Sequence, residues 1–363
     1  MTNILVTAAG SPGFITICKS IKSSLSIKKS SIYACDMNLD SVGLKFAKKT
    51  FKVPSGNNSS YVDAIFSICK ENNIDLIIPC SDEELIPLSK NLLKFESINC
   101  KIMVSDFKGL EIALNKKNLF NFLIKNYSDI VPKHRYCRNI KDFELHYKDL
   151  LKETEKICVK PSQAHGSRGF RIIDNSFSKE DFFKKKPDSL KISYENLHSI
   201  LSQGDKKFPE LILMEYLPGE EFSVDSIQDK EKFYCVTRRR NTIKEGICSS
   251  GETIEKKDLI KICKTIYRDL ELDYNINFQF RYDSKGNPKI LEINPRLSGT
   301  LELCRGAGIN FVDLGIKNVL DLKDNISYEV KWGIKMQRVW EEVFFDEEDI
   351  YTLESIKQTL REL

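Results

Sequence analysis

The chain has 363 residues, 41% hydrophobic and 30% charged, a balance that fits a globular protein with two or three cores and excludes low-complexity and fibrous classes. Its 56 basic and 52 acidic residues nearly cancel to a net charge of +4, which excludes the strong basic footprint of a dedicated nucleic-acid binder. No basic-then-apolar leader opens the sequence and no apolar run reaches the length of a membrane span, so the expectation is a cytoplasmic protein with neither membrane nor nucleic-acid partners. The 11 cysteines are scattered from Cys18 to Cys304 without a C-x-x-C pair, and read as reduced core thiols instead of a zinc site or a disulfide framework.

Up to about residue 105, short apolar runs alternate with helical patterns: ILVTA, a helix around Phe14 to Ser24, SIYACD, a helix around Ser60 to Asn72, DLIIPC, a helix from Glu83 to Lys94, and KIMVS. That alternation predicts a parallel, doubly wound sheet. The first turn, Ala8-Ala-Gly10-Ser-Pro-Gly13, precedes a helix, and Asp36 ends the second strand where a ribose-binding acid of a dinucleotide site is expected. The spacing is not G-x-G-x-x-G, however. A nicotinamide-dependent oxidoreductase therefore stands behind the readings below.

Next comes a helical tract beginning Asn115-Lys116-Lys117. Lys156-Ile-Cys-Val-Lys160-Pro161 then reads as a strand feeding the small-residue loop Ser162-Gln-Ala-His165-Gly166-Ser167-Arg168-Gly169, followed by a strand from Phe170 to Ile173. Such a loop can lie over a polyphosphate and donate backbone N–H groups while a strand lysine offsets charge. It does not match the Walker pattern. After a polar, lysine-rich stretch, Glu210 to Asp225 reads as a strand interrupted by Pro218-Gly219 and resumed at once, leaving backbone groups of Met214 to Leu217 able to meet an adenine edge. A glutamate beyond it, Glu220 or Glu221, could accept ribose hydroxyls.

The stretch NFQFRYDSKGNPKILEINPRLSGT, from Asn277 to Thr300, contains a turn at Asp283 to Pro288 that folds Gln279 beside Glu292 in a hairpin. Glu292 and Asn294 are two apart and share a strand face. The result is an oxygen-only cluster of the kind magnesium takes alongside phosphate oxygens, with Arg296 able to fork onto a phosphate or acyl-phosphate. Earlier, the run Arg238-Arg239-Arg240 alternates so that Arg238 and Arg240 face one way and Arg239 the other, which nominates Arg238 or Arg240 to hold an anionic substrate. The tail reads as a strand pair around Val330 to Phe345, an acidic segment and a final helix, Leu353 to Leu363, with Trp332 and Trp340 as packing anchors.

Lys116, Lys160 with its loop, MEYLPGEEFSVD, and Gln279 with LEINPR follow one another in an order that resembles the ATP-grasp superfamily, in its carbamoyl-phosphate-synthase large-chain-like branch. IPCSDEEL in the first hundred residues is similar to the pre-ATP-grasp domain. The resemblance covers nearly the whole chain. It implies an α/β fold, α+β in the ATP-grasp part: a Rossmann-like pre-ATP-grasp domain at 1–108, a two-lobed ATP-grasp domain at 109–325 with a lid lobe at about 155–215, and an extension at 326–363 packing on it.

The resemblance further implies ATP, with two magnesium ions or manganese in their place. Lys116 and Lys160 would meet the nucleotide phosphates under the lid His165, Gly166, Ser167, Arg168 and Gly169. Met214, Glu215, Tyr216 and Leu217 would form the adenine hinge, with Glu221 at the ribose. Gln279, Glu292 and Asn294 would bind metal, and Arg296 would steady the transferring group, with Lys160, Arg238 and Arg240 also in the catalytic set. The expected activity is ATP-dependent carboxylate–amine ligation of small molecules through an acyl-phosphate, releasing ADP and phosphate. A homodimer is the oligomer to expect. The alternative is a nucleotide-binding module that does not turn over.

Overall fold

The protein is seen in a computed structural model that describes all residues except 163–168, 177–189, 204–207, 231, 245, 324–326, 340–341, 346–349 and 353–363. His165, Gly166, Ser167, Arg168, Trp340 and the expected final helix lie outside the described residues. No helix among the described residues is long and apolar enough to cross a membrane.

The first layer is a parallel sheet of β1 (Thr2–Val6), β2 (Ser30–Asp36), β3 (Lys49–Lys52), β4 (Leu76–Ile78) and β5 (Lys101–Ile102), ordered β3-β2-β1-β4-β5. Its central strands are apolar runs buried on both faces, as a parallel sheet sandwiched between helices requires. The expected helix from Glu83 to Lys94 is two helices, Asp82–Ser89 and Leu92–Glu96. Pro87 removes one amide from the first, and the chain turns at Lys90-Asn91.

The second sheet holds β6 (His134–Cys137), β7 (Ile157–Pro161), β8 (Arg171–Ile173), β9 (Lys191–Ile192) and β10 (Leu211–Glu215), in the order β6-β10-β7-β8-β9. One face packs Cys137, Val159, Leu211 and Leu213 against helices Ile140–Leu150 and Tyr194–Leu201. Lys160 stands directly opposite Ile212 and Cys158 opposite Met214, so these four share the other face.

The third sheet comprises β11 (Glu221–Asp229), β12 (Lys232–Lys244), β13 (Ile247–Thr253), β14 (Ile276–Tyr282), β15 (Pro288–Asn294) and β16 (Lys335–Gln337), ordered β15-β14-β11-β12-β13-β16. Strict alternation makes it two-sided. Phe222, Val224, Phe278, Phe280 and Ile293 pack with helices Lys116–Asn126 and Lys257–Asp269, while Glu221, Ser223, Asp225, Asn277, Gln279 and Arg281 occupy the opposite face. In the tail, β16 joins this sheet, and Val343–Phe345 pairs with Ile350–Thr352. The second tail strand thus pairs forward in sequence, not with the first as the apolar pattern alone predicts.

Candidate active site

The hairpin between β14 and β15 places Gln279 opposite Glu292 and Asn277 opposite Asn294, which brings the three expected metal ligands onto one face. Asp283 builds the turn: its Oδ1 accepts from the amides of Lys285 (2.9 Å) and Asn287 (2.8 Å), and Gly286 takes φ +80°. The pairing slips between Gln279 and Phe280, where Ile290 and Glu292 face consecutive partners and Leu291 is the extra residue. Such a bulge re-aims side chains beside a site. Here Leu291 packs against Cys158, Ile212 and Met214 of the second sheet, so the bulge joins the two sheets at the cleft.

Two lysines converge on Glu292. Lys116 begins its helix behind the cap Asn115 and brings Nζ to 3.4 Å from Glu292 Oε2, with its own side chain only 8% exposed. Lys160 comes from β7 and lies over the Phe120 ring at 5.9 Å. Burial, and then the like charge of Lys116, push the Lys160 ammonium down to about 8. Burial works against the Glu292 carboxylate, but Lys116 and Lys160 outweigh it and hold its pKa below the ordinary value. The Glu292 carboxylate therefore faces two cations.

Beyond the cleft, the hinge residues Met214 to Leu217 leave β10. The amides of Glu215 and Tyr216 donate to the carbonyls of Lys133 (2.9 Å) and Lys156 (2.8 Å), and Glu215 Oε1 accepts from the Lys133 amide (2.8 Å). Gly219 closes the hinge against β14: its amide meets the Tyr282 carbonyl at 3.0 Å, and a Cβ there would lie 2.7 Å from that oxygen. The two glutamates then part. Glu221 pairs with Arg240 on the face that carries Gln279, whereas Glu220 binds Arg239 at 2.7 Å. Arg240 also donates to Gln279 Oε1 at 3.2 Å and to the Gly246 carbonyl at 2.6 Å.

Arg238 and Arg240 share a face, but their surroundings differ. Arg238 is 1% exposed, and every nitrogen of its guanidinium is engaged. Nε donates to Asp225 (2.7 Å), Nη1 to Thr300 Oγ1 (2.7 Å), and Nη2 to Ser298 Oγ (3.1 Å) and Ser223 Oγ (3.3 Å). It pins the segment after Arg296 to the sheet. Arg296 Nη1 donates to the Leu297 carbonyl at 3.1 Å, and Nη2 to Asp82 Oδ2 at 3.1 Å. Gly13 sits beneath this segment, where a Cβ would come within 3.3 Å of the Ser298 carbonyl.

The Gly10 turn is closed on itself. Asp36 Oδ2 accepts from the Gly10 amide (2.7 Å) and Oδ1 from the Asn38 amide (2.9 Å), while Gly43 packs so tightly that a Cβ would lie 2.0 Å from the Ala9 carbonyl. The acid expected at a ribose is a turn cap. Two cleft residues escaped the sequence reading, His134 and Tyr136 of β6, which share the Met214 face. Burial lowers the His134 pKa, and the Tyr136 hydroxyl is buried without a hydrogen-bond partner among the described residues. Neither lies in a motif; only strand pairing reveals them.

Gln279, Glu292 and Asn294 suit magnesium held jointly with a nucleotide, since that ion keeps waters and phosphate oxygens and takes few protein oxygens. Among the described residues no three His, Cys, Asp or Glu side chains form a metal cage, and the expected ligands are one carboxylate with two amides.

Residues 207–342 match the family "ATP-grasp in the biosynthetic pathway with Ter operon", and residues 4–103 the PylC-like N-terminal domain. Among curated proteins it is similar to the carbamoyl phosphate synthase arginine-specific large chain of Bacillus subtilis (strain 168), 21% identical over 252 residues, which cover 65% of this chain. The chain spans only 22% of that relative's length. Solved structures with the same fold include N5-carboxyaminoimidazole synthetase from Staphylococcus aureus complexed with ADP (TM-score 0.66, 13% identity, 91% of this chain and 80% of that one). The biotin carboxylase domain of Hydrogenobacter thermophilus 2-oxoglutarate carboxylase with MgADP and bicarbonate gives a TM-score of 0.63 at 17% identity, over 92% and 73% of the two chains. An L-amino acid ligase from Bacillus licheniformis gives 0.63 at 14%, over 99% and 85%.

Proposed function

We propose that the protein is an ATP-dependent carboxylate–amine, or related carboxylate–nucleophile, ligase acting on small molecules. The observation that carries this reading is the convergence of Lys116 and Lys160 on Glu292, beside Gln279 and Asn294: paired cations and hard oxygen donors that a magnesium–nucleotide completes. The ligases among the solved structures of this fold, including one with MgADP, support it.

Lys116 and Lys160 offset the charge of the phosphates; Glu292, Gln279 and Asn294 would hold magnesium, two ions in this reading, which when bound would lower the charge barrier at the γ-phosphate. Met214 to Leu217 seat the adenine and Glu221 the ribose. A substrate carboxylate oxygen attacks the γ-phosphorus and the bond to the β-phosphate oxygen breaks, giving an acyl-phosphate and ADP. The amine then attacks the acyl carbon; inorganic phosphate leaves and the amine gives up a proton. Arg296 faces the group in transit, and Arg240 holds Glu221 and Gln279 in place. Gly169 takes φ +73°, and residues 163–169 would, in this reading, exclude water from the acyl-phosphate. The division at 1–108, 109–325 and 326–363 belongs to the same reading.

The test is magnesium-dependent ADP release across a panel of acids paired with amines. Release should rise with a matching pair and vanish in Glu292→Ala. Equal ADP release by wild type and Glu292→Ala across the panel, with nucleotide still bound, would favour a non-catalytic nucleotide-binding module.

A further inference from the structure

Asp82 is the first residue of the helix Asp82–Ser89, which opens with a capping box between Ser81 and Glu84. It belongs to the N-terminal layer, 214 positions from Arg296, yet the two side chains meet. Nη2 of Arg296 donates to Oδ2 at 3.1 Å, and Nε lies 2.9 Å from Oδ1, outside hydrogen-bonding alignment. The Asp82 side chain is 6% exposed and that of Arg296 21%. With the Leu297 carbonyl on Nη1, the guanidinium is fixed along its Nε–Nη2 side and at one Nη1 hydrogen. A guanidinium carries five N–H bonds, so its terminal edge, one hydrogen on each Nη, still points away from Asp82.

This contact does more than neutralise charge. Arginine has a long, rotatable stem, and it recognises a phosphoryl group through the geometry of its planar fork. Holding one side of the fork fixes where the other side points. The anchor comes from the N-terminal layer, at the rigid first turn of a helix, while the magnesium floor comes from β14 and β15. We propose that Asp82 is a positioning residue for phosphoryl transfer: by holding the Nε–Nη2 side of Arg296, it aims the terminal edge at the γ-phosphoryl group, so that the N-terminal layer sets the alignment of an ATP-grasp cation. The proposal rests on the nucleotide reading above and adds to it a residue outside the ATP-grasp motifs.

Loss of a buried pair lowers stability whatever its role, so melting temperature does not discriminate. The discriminating readout is the affinity for Mg-ADP alone against Mg-ADP with orthovanadate as a γ-phosphoryl mimic, titrated into wild type, Asp82→Asn, Arg296→Gln and the double variant. Asp82→Asn should leave Mg-ADP affinity within about twofold and cut the gain from vanadate about tenfold, the scale of one misaligned donor. Arg296→Gln should cut the gain at least as much, and the double variant no further than Arg296→Gln, because Asp82 acts only through Arg296. Asp82→Glu, which keeps the charge, should retain part of the gain. Multiplying losses in the double variant, an undiminished vanadate gain in Asp82→Asn, an equal loss of Mg-ADP affinity, or no vanadate gain in wild type would each overturn the proposal. The cycle needs no turnover, so a chain that obeys it and releases no ADP with any acid and amine refutes the ligase reading alone.

Discussion

Two corners of this molecule invite a phosphate: the Gly10 to Gly13 turn with Asp36, and the floor where Lys116 and Lys160 meet Glu292. In the first, every charge has found an internal use. Asp36 caps the Gly10 turn, and Gly43 fills the space against Ala9. In the second, two cations face Glu292, and burial, then the like charge of Lys116, depresses the pKa of Lys160. A glycine-rich turn indicates that backbone can bend there. A cluster of charges with a shifted pKa marks a candidate site.

Charges enclosed by internal partners and charges of the floor should respond differently to substitution. Arg238, whose partners are all internal, should act as a structural ion: Arg238→Ala should cost about 3–5 kcal/mol in urea unfolding, the scale of a broken buried pair. On the floor, Glu292→Gln should lower magnesium-dependent ADP release about a hundredfold, and a turnover like that of wild type would remove the floor from the site.

Lys160→Met should weaken Mg-ATP binding about tenfold, measured by titration, and yet raise the melting temperature of the nucleotide-free protein, because it deletes an ammonium penalised by burial and then by the like charge of Lys116. Its pH dependence follows. The pKa is lowered from 10.5 to about 8, so between those values the folded chain holds fewer protons than the unfolded chain. This group's penalty is fully present below pH 8 and fades as pH rises toward 10.5; the stability difference between Lys160→Met and wild type should shrink over that window. Affinity for Mg-ATP should fall over the same window in wild type and stay level in Lys160→Met. The smallest effect belongs to the closed corner: Asp36→Ala should lose about 1 kcal/mol of stability and leave Mg-ATP affinity unchanged, while NAD titrated into wild type gives no binding heat.

Much of the fold was legible because its signals are local. The alternation of ILVTA, SIYACD and DLIIPC predicted a parallel sheet, and the turn from Asp283 to Pro288 predicted the hairpin that joins Gln279 to Glu292. What escaped depends on partners distant in sequence. The extra residue Leu291 shows only when β15 is paired with β14, and His134 and Tyr136 only when β6 is laid beside β10. The helix from Glu83 to Lys94 divides in two because Pro87 and the turn at Lys90-Asn91 prevail over a continuous helical pattern. The arginine run displays the limit most sharply. Alternation put Arg238 and Arg240 on one face, but it could not tell that Asp225, Ser298 and Thr300 would enclose the first while the second reached Glu221 and Gln279.

Alternation, turns and helix starts can be read along the chain, since backbone periodicity and turn chemistry act over a few neighbouring positions. They thereby set out the order of lysines, hinge and hairpin from which the nucleotide reading was made. Which charges balance one another emerges from packing: Asp82 with Arg296, Asp36 with a turn amide, Asp225 with Arg238, and Glu292 with two lysines at once. The reason is physical. Electrostatic compensation depends on distance and burial, and residues 82 and 296 acquire both only when separate sheets pack together.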